Sequence, residues 1–176
     1  MTRRWSLIVF AGLFACLPIA GTARNHAKPG TGLGPIAFGS PAPDFAFTLD
    51  DGATHRLADF AGRPIVVNFW ATWCKPCDDE LDAFARLGQR FGNGVELVTI
   101  SNEPRDVTAP ALRARGVDAV VVTDPERTIF GRYGVTPIPV TLVLDRAGNV
   151  THVSIGELDW PELESAVEQA GGTPVT

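Results

Sequence analysis

The sequence predicts one α/β domain, a mixed central sheet flanked by helices with an N-terminal β-hairpin extension. Three observations carry the prediction. Short runs rich in β-branched residues (65–69, IVVNF; 95–101, VELVTIS; 140–144, VTLVL) read as strands buried on both faces. Between them lie segments whose apolar residues recur at helical spacing. After residue 140 two strand-like runs are separated only by the turn DRAGN, which places an antiparallel return in a sheet otherwise built by crossovers. With 176 residues, 45% hydrophobic and 20% charged, the chain suits one domain plus an appendage and is not disordered as a whole. A net charge of −5 argues against nucleic acid as a partner, because phosphate neutralisation needs a basic face.

The chain opens with an address. Arg3 and Arg4 precede an almost purely apolar run over residues 5–20, broken near its end by Pro18. Gly21 and Ala23 are the small residues at −3 and −1 of a cut after Ala23. This order is that of a secretory signal, so residues 1–23 are expected to be a signal peptide and the protein to work in the periplasm or at the outer face of a membrane. The run is shorter than the roughly 20 residues of a spanning helix. An uncleaved anchor and acylation at Cys16 stay open as alternatives, although Phe14 is bulky where a lipobox takes a smaller residue. Cleavage removes two arginines and no acid, moving the charge from −5 to −7, and leaves Cys74 and Cys77 as the remaining cysteines. A secreted chain with one cysteine pair has no structural disulfide framework. Residues 24–39 are rich in Gly and Pro and read as a flexible tether ending in an ordered extended piece, with the globular domain over 40–176.

Residues 45–49 alternate as a strand, Asp50-Asp51-Gly52 signals a hairpin turn, and residues 54–57 return as its partner. The first buried strand follows at 65–69. Over 78–91, Leu81, Phe84, Ala85, Leu87 and Phe91 share one helical face, and Gly92 and Gly94 end the helix. A strand at 95–101, a helix at 107–115, a strand at 120–123 and a short helix at 125–133 complete the crossovers. The strand at 140–144 turns through 145–149 into its return at 150–155. Pro161 sits near the start of the last helix, where proline is tolerated, and Gly171-Gly172 stop it after about residue 170.

Chemistry concentrates in Trp73-Cys74-Lys75-Pro76-Cys77, which follows the first buried strand and opens a helix. At a helix N-terminus, free N–H groups and the macrodipole stabilise a thiolate on the first cysteine. The second cysteine lies one turn on, placed to close a four-residue disulfide ring. Pro76 suits the first turn, where its missing N–H has no helical acceptor. Such a pair exchanges disulfides: a thiolate attacks a partner disulfide and the second thiol resolves the mixed disulfide. Zinc would need four donors, whereas there is no second C-x-x-C and His26, His55 and His152 have no ligand spacing. No cofactor beyond the redox-active pair is expected.

The sequence resembles the thioredoxin superfamily, and within it the TlpA/ResA/CcmG-like envelope thiol–disulfide oxidoreductases. The matching segments are Ala42-Pro43-Asp44-Phe45, Asp51-Gly52, Leu57-Ala58-Asp59-Phe60-Ala61-Gly62, the stretch from Val66-Val67-Asn68-Phe69-Trp70 through Ala71-Thr72 to Cys77, and Ile138-Pro139-Val140-Thr141 with its hairpin. The resemblance implies a thioredoxin-like sheet. It makes Cys74 the nucleophile, Cys77 the resolving cysteine and Pro139, rather than Pro137, a cis-proline beside the pair. Ile138 would then offer its backbone to a substrate strand. ResA-like members carry a glutamate where Glu80 stands, a candidate to exchange protons with the resolving thiol. Asp78, Asp79, Glu80 and Asp82 also all suit a first helical turn through the macrodipole alone. Asn68 replaces the buried aspartate of cytosolic thioredoxin, so that residue's relay role does not transfer. Trp70 and Trp73 would shield the site, with ordinary core burial an equal reading for Trp70. Lys75 would favour the thiolate and Asp78 and Asp79 would oppose it.

These features imply a monomeric reductant of client proteins, of the cytochrome c maturation or copper-site assembly type, recharged by a membrane thiol-transport protein. Two other functions compete. The Ala42 to Phe45 opening is shared with peroxiredoxins, but a thiol peroxidase places threonine three residues before its cysteine, where Ala71 stands. A copper-delivery protein needs C-x-x-x-C and a distal histidine, and the spacing here is wrong. Isomerase activity would call for a dimerisation module, and none is visible in the sequence.

Overall fold

A computed structural model describes residues 31–49 and 52–175. The expected signal peptide with Cys16, the first part of the expected tether, and the turn residues Asp50 and Asp51 lie outside the described residues. Strands β1 (Ala46–Thr48) and β2 (Thr54–Arg56) pair antiparallel and run into a 3-10 turn at Leu57–Phe60. There follow β3 (Ile65–Phe69), α1 (Lys75–Phe91), β4 (Glu96–Ser101), α2 (Arg105–Ala114), β5 (Val120–Thr123), α3 (Thr128–Tyr133), β6 (Val140–Leu144), β7 (Val150–Ile155) and α4 (Trp160–Gln169). The sheet order is β5-β4-β3-β6-β7. β3, β4 and β5 are parallel, while β6 and β7 join antiparallel, so the mixed sheet read from the sequence is present.

Strand side chains alternate between faces, and the two faces of this sheet differ. Ile65, Val67, Phe69, Val98, Ile100, Val122, Val140 and Leu142 point into an apolar layer with Phe130 and Tyr133 of α3. Phe69 packs against Phe130 and Tyr133 with ring centroids 5.0 and 5.2 Å apart. The opposite face carries Val66, Trp70, Leu97, Val121 and Val143 under α1, α2 and α4. There the alternate positions between them are Asn68, Thr99 and Thr141, all fully buried and in direct register.

Three boundaries differ from the sequence expectation. Leu33 and Ile36, assigned to the tether, are buried in the apolar layer, and the Thr31 hydroxyl donates to the Ile36 carbonyl at 2.7 Å. Their segment has too many Gly and Pro to show a period, so their burial left no pattern in the sequence. α2 starts two residues early because Pro104, extended at φ −67° and ψ 152°, is its N-cap. α3 starts three residues late. The Asp124 carboxylate accepts the N–H groups of Thr128, Ile129 and Phe130 at 2.9, 2.8 and 3.0 Å, and Arg127 at φ 54° ends any helix before them.

Candidate active site

The site grows out of the end of β3. Phe69 pairs with Ile100 on one side and Val140 on the other, so residues 70–74 and the Ile138-Pro139 segment leave the sheet at the same end. Trp70 N–H donates to the Ile100 carbonyl at 3.1 Å, holding the exit of the strand. Cys74 is the extended N-cap of α1, and its Sγ accepts the Cys77 N–H at 3.3 Å. This is the anion-favouring end of a 17-residue helix. Cys74 and Cys77 form a disulfide with Cα atoms 5.2 Å apart. Cys74 is 6% exposed and Cys77 is sealed at 0%. The Ile138–Pro139 peptide bond is cis, at the position the resemblance marks.

Glu80 stands one turn beyond Cys77 on the buried side of α1. Its Oε1 accepts the Asn68 Nδ2–H at 2.6 Å and its Oε2 accepts the Leu158 N–H at 3.3 Å. Burial pushes the Glu80 carboxyl up to about 8, against the pull of these two donors, and the charge of Glu157 adds to the rise. Asn68 Nδ2 also donates to the Thr141 hydroxyl at 3.1 Å. A chain of side chains therefore links the second turn of α1 to β3 and to the strand that begins after Pro139. Glu80 is the acid the sequence singled out. Asn68 reads there only as lacking a relay role, and its contact with Glu80 is not foreseen; Thr141 and the Leu158 N–H are not singled out as partners.

The remaining expected residues divide. Trp70 is fully buried in the layer that holds both cysteines, whereas Trp73 is 69% exposed at the rim, so it does not wall off the pair from solvent. Lys75 forms an ion pair with Asp79 that raises its own pKa, and Asp78 and Asp79 are both engaged, since Arg115 bridges Asp78 and Asp82. The charges that were to favour or oppose a thiolate thus compensate one another locally. Sequence reasoning missed Glu103. Its carboxylate accepts the Thr72 N–H at 2.6 Å and the Thr72 hydroxyl at 2.7 Å, and its own N–H donates to Ser101 Oγ at 3.1 Å. It clamps the loop two residues before Cys74, and an acid in a loop carries no period that would announce it. Of the histidines described, His55 stacks on Phe47 and His152 Nε2 stands 3.0 Å from Glu162.

Residues 38–153 match the AhpC/TSA family. The thiol-disulfide oxidoreductase ResA of Geobacillus thermodenitrificans is 32% identical over 135 residues, covering 76% of this chain and 78% of that one. ResA of Bacillus subtilis is 33% identical over 160 residues, covering 90% and 89%. Among solved structures, one described as a thiol:disulfide interchange protein DsbE from Chlorobium tepidum superposes with a TM-score of 0.69 at 26% identity, covering 78% of this chain and 99% of that one. With its C-x-x-C pair capping α1 on a five-stranded mixed sheet, the chain belongs to the AhpC/TSA family as a thioredoxin-like thiol–disulfide oxidoreductase of the ResA and DsbE type.

Proposed function

We propose that the protein reduces disulfides of client proteins outside the cytoplasm, with Cys74 as nucleophile and Cys77 as resolving thiol. The observation that carries this reading is the asymmetry of the pair. Cys74 caps α1 and keeps a small exposure, while Cys77 is sealed and lies one turn before a buried carboxyl group. In the reduced protein, the Cys74 thiolate attacks one sulfur of a client disulfide and expels the other as a thiolate. Cys77 then transfers its proton to the Glu80 carboxylate and attacks Cys74 Sγ. The Cys74–Cys77 disulfide forms as the second client sulfur leaves Cys74 as a thiolate, and the client, two electrons richer, becomes a dithiol when its two thiolates take up protons from solvent. A neutral Glu80 at the start of the next cycle returns the proton when the pair is reduced.

The extracytoplasmic setting rests on the signal-like order of residues 1–23. A reductant in that setting needs electrons from elsewhere, so a membrane thiol-transport protein is the expected donor. A cysteine pair in an apocytochrome c or a copper site is the expected client by family analogy. The peroxidase alternative has no support at Thr72, whose hydroxyl is taken by Glu103.

The test is a trap. Cys77→Ala in the full chain should accumulate mixed disulfides on Cys74 that are absent from Cys74→Ala, and mass spectrometry then names the client. Trapping through Cys77 in the Cys74→Ala protein would reverse the assignment of roles.

A further inference from the structure

The Asn68 amide is fully buried, and its two ends are treated unequally. Nδ2 donates to both Glu80 Oε1 and Thr141 Oγ1, while Oδ1 has no hydrogen-bond partner among the described residues. A buried amide oxygen left without a donor is uncommon and calls for a cause. The cause lies in what Glu80 requires. As a carboxylate, Glu80 accepts from Asn68 and from the Leu158 N–H, and both oxygens are satisfied. As a neutral acid it gains an O–H that must find an acceptor. Leu158 still donates to Oε2, so the proton belongs on Oε1, facing Asn68.

An amide turned over about its last torsion occupies the same space with oxygen and nitrogen exchanged. In that orientation Oδ1 accepts from Glu80 Oε1–H. The Thr141 hydroxyl, which both donates and accepts, rotates to donate to the same oxygen. One end of the amide is doubly bonded and the other is orphaned in either orientation. Because no described residue donates to Oδ1, turning over exchanges two hydrogen bonds for two and costs none. An aspartate at this position would instead bring a second ionisable acid against Glu80.

We propose that Asn68 is a positioning residue whose amide turns over with the proton on Glu80, holding that carboxyl group in one place in both protonation states. The inference deepens the proton-transfer role given to Glu80 and rests on it. The titratable groups around Glu80 are Cys74 and Cys77 on its own helix and Glu157 on the β7–α4 connection, with the Lys75–Asp79 pair on the outer face. β3 and β6 contribute the uncharged Asn68 and Thr141.

The experiment uses the oxidised full chain, so that the thiols do not titrate, with isotopically labelled Asn and Glu. The Glu80 carboxyl carbon and the Asn68 side-chain amide are followed by NMR from pH 5 to 10. The expected result is one midpoint shared by both. Contacts between the Asn68 amide protons and the Thr141 methyl should be present above that midpoint and lost below it. Glu80→Gln should abolish the pH response of Asn68. Asn68→Leu removes a donor from the carboxylate and an acceptor from the acid, so the Glu80 midpoint should rise only by the excess of the charge-assisted bond over the neutral one. Amide-to-Thr141 contacts that persist on both sides of the Glu80 midpoint would overturn the proposal, whether or not the Leu variant folds. Disulfide exchange by the reduced wild type is read separately. Its absence would sink the functional reading, while exchange with a fixed Asn68 amide would sink this inference alone.

Discussion

The two faces of the central sheet are built from the same strands and do different work. Toward α3, residues such as Phe69, Ile100 and Leu142 form a layer whose buried strand positions are all apolar. Toward α1 and α4, Asn68, Thr99 and Thr141 interrupt an otherwise similar layer, and Glu80 comes down onto Asn68 from the helix. Burial of apolar area stabilises both faces. The cysteine pair and the buried Glu80 carboxyl group lie on the second, and there the polar atoms cost stability unless they are paired. The difference teaches that this fold confines its redox chemistry to one side of the sheet and leaves the other to hold the strands in register.

The comparison breaks most visibly at Glu80. Its folded pKa, about 8, lies above the ordinary 4.5, so the folded protein binds more protons than the unfolded chain between those values. The sign follows: the contribution is fully present below about pH 4.5, declines as pH rises, and is gone above about pH 8. In the oxidised protein this amounts to at most about 5 kcal/mol, and Glu80→Gln should flatten the slope, as urea unfolding across pH will show. In the reduced protein the same variant should lower the cysteine pKa values, because a neighbouring negative charge has been removed. Thiolate absorbance against pH reads this, and superimposable curves would leave Glu80 a buried structural acid with no part in the thiol chemistry.

Phe69→Ala probes the apolar face. It should cost about 3–5 kcal/mol through lost burial and a cavity beside Phe130 and Tyr133. Provided the protein still folds, its thiol titration should match wild type. A shifted titration would mean that the two faces are not independent.

Reduction of the Cys74–Cys77 disulfide closes no long loop, so its loss should cost roughly 2 kcal/mol and leave the circular dichroism spectrum intact. Collapse of the fold on reduction would make the disulfide structural. Smallest is Asp159→Ala. Asp159 Oδ1 accepts the Glu162 N–H at 3.0 Å as the N-cap of α4, and its loss should cost about 1 kcal/mol. Because Asp159 follows Leu158, amide exchange at Leu158 should speed up in this variant if the cap also steadies the donor to Glu80.

Much of this was legible in the residues. The apolar runs, the helical spacing of Leu81, Phe84 and Leu87, and the DRAGN turn act over a few neighbours, and each element appears where those local rules put it. Errors fell where burial against the sheet, or the choice of which nearby residue caps a helix, decides. Leu33 and Ile36 are core residues because the sheet offers them a surface, and Thr128 starts α3 because Asp124 turns to cap it.

The site divides along the same line. The sequence by itself determined that two cysteines would sit at the start of a helix behind a buried strand, since the spacing of Cys74 and Cys77 is a matter of one helical turn. Only the tertiary structure decided that Glu80 would lose its water, that Asn68 and Leu158 would be the donors facing it, and that Glu103 would hold Thr72. The physical reason is range. Periodicity and capping are fixed by adjacent residues, whereas desolvation and hydrogen-bond pairing belong to groups that meet across 12, 31 or 78 residues of chain only after the sheet has closed.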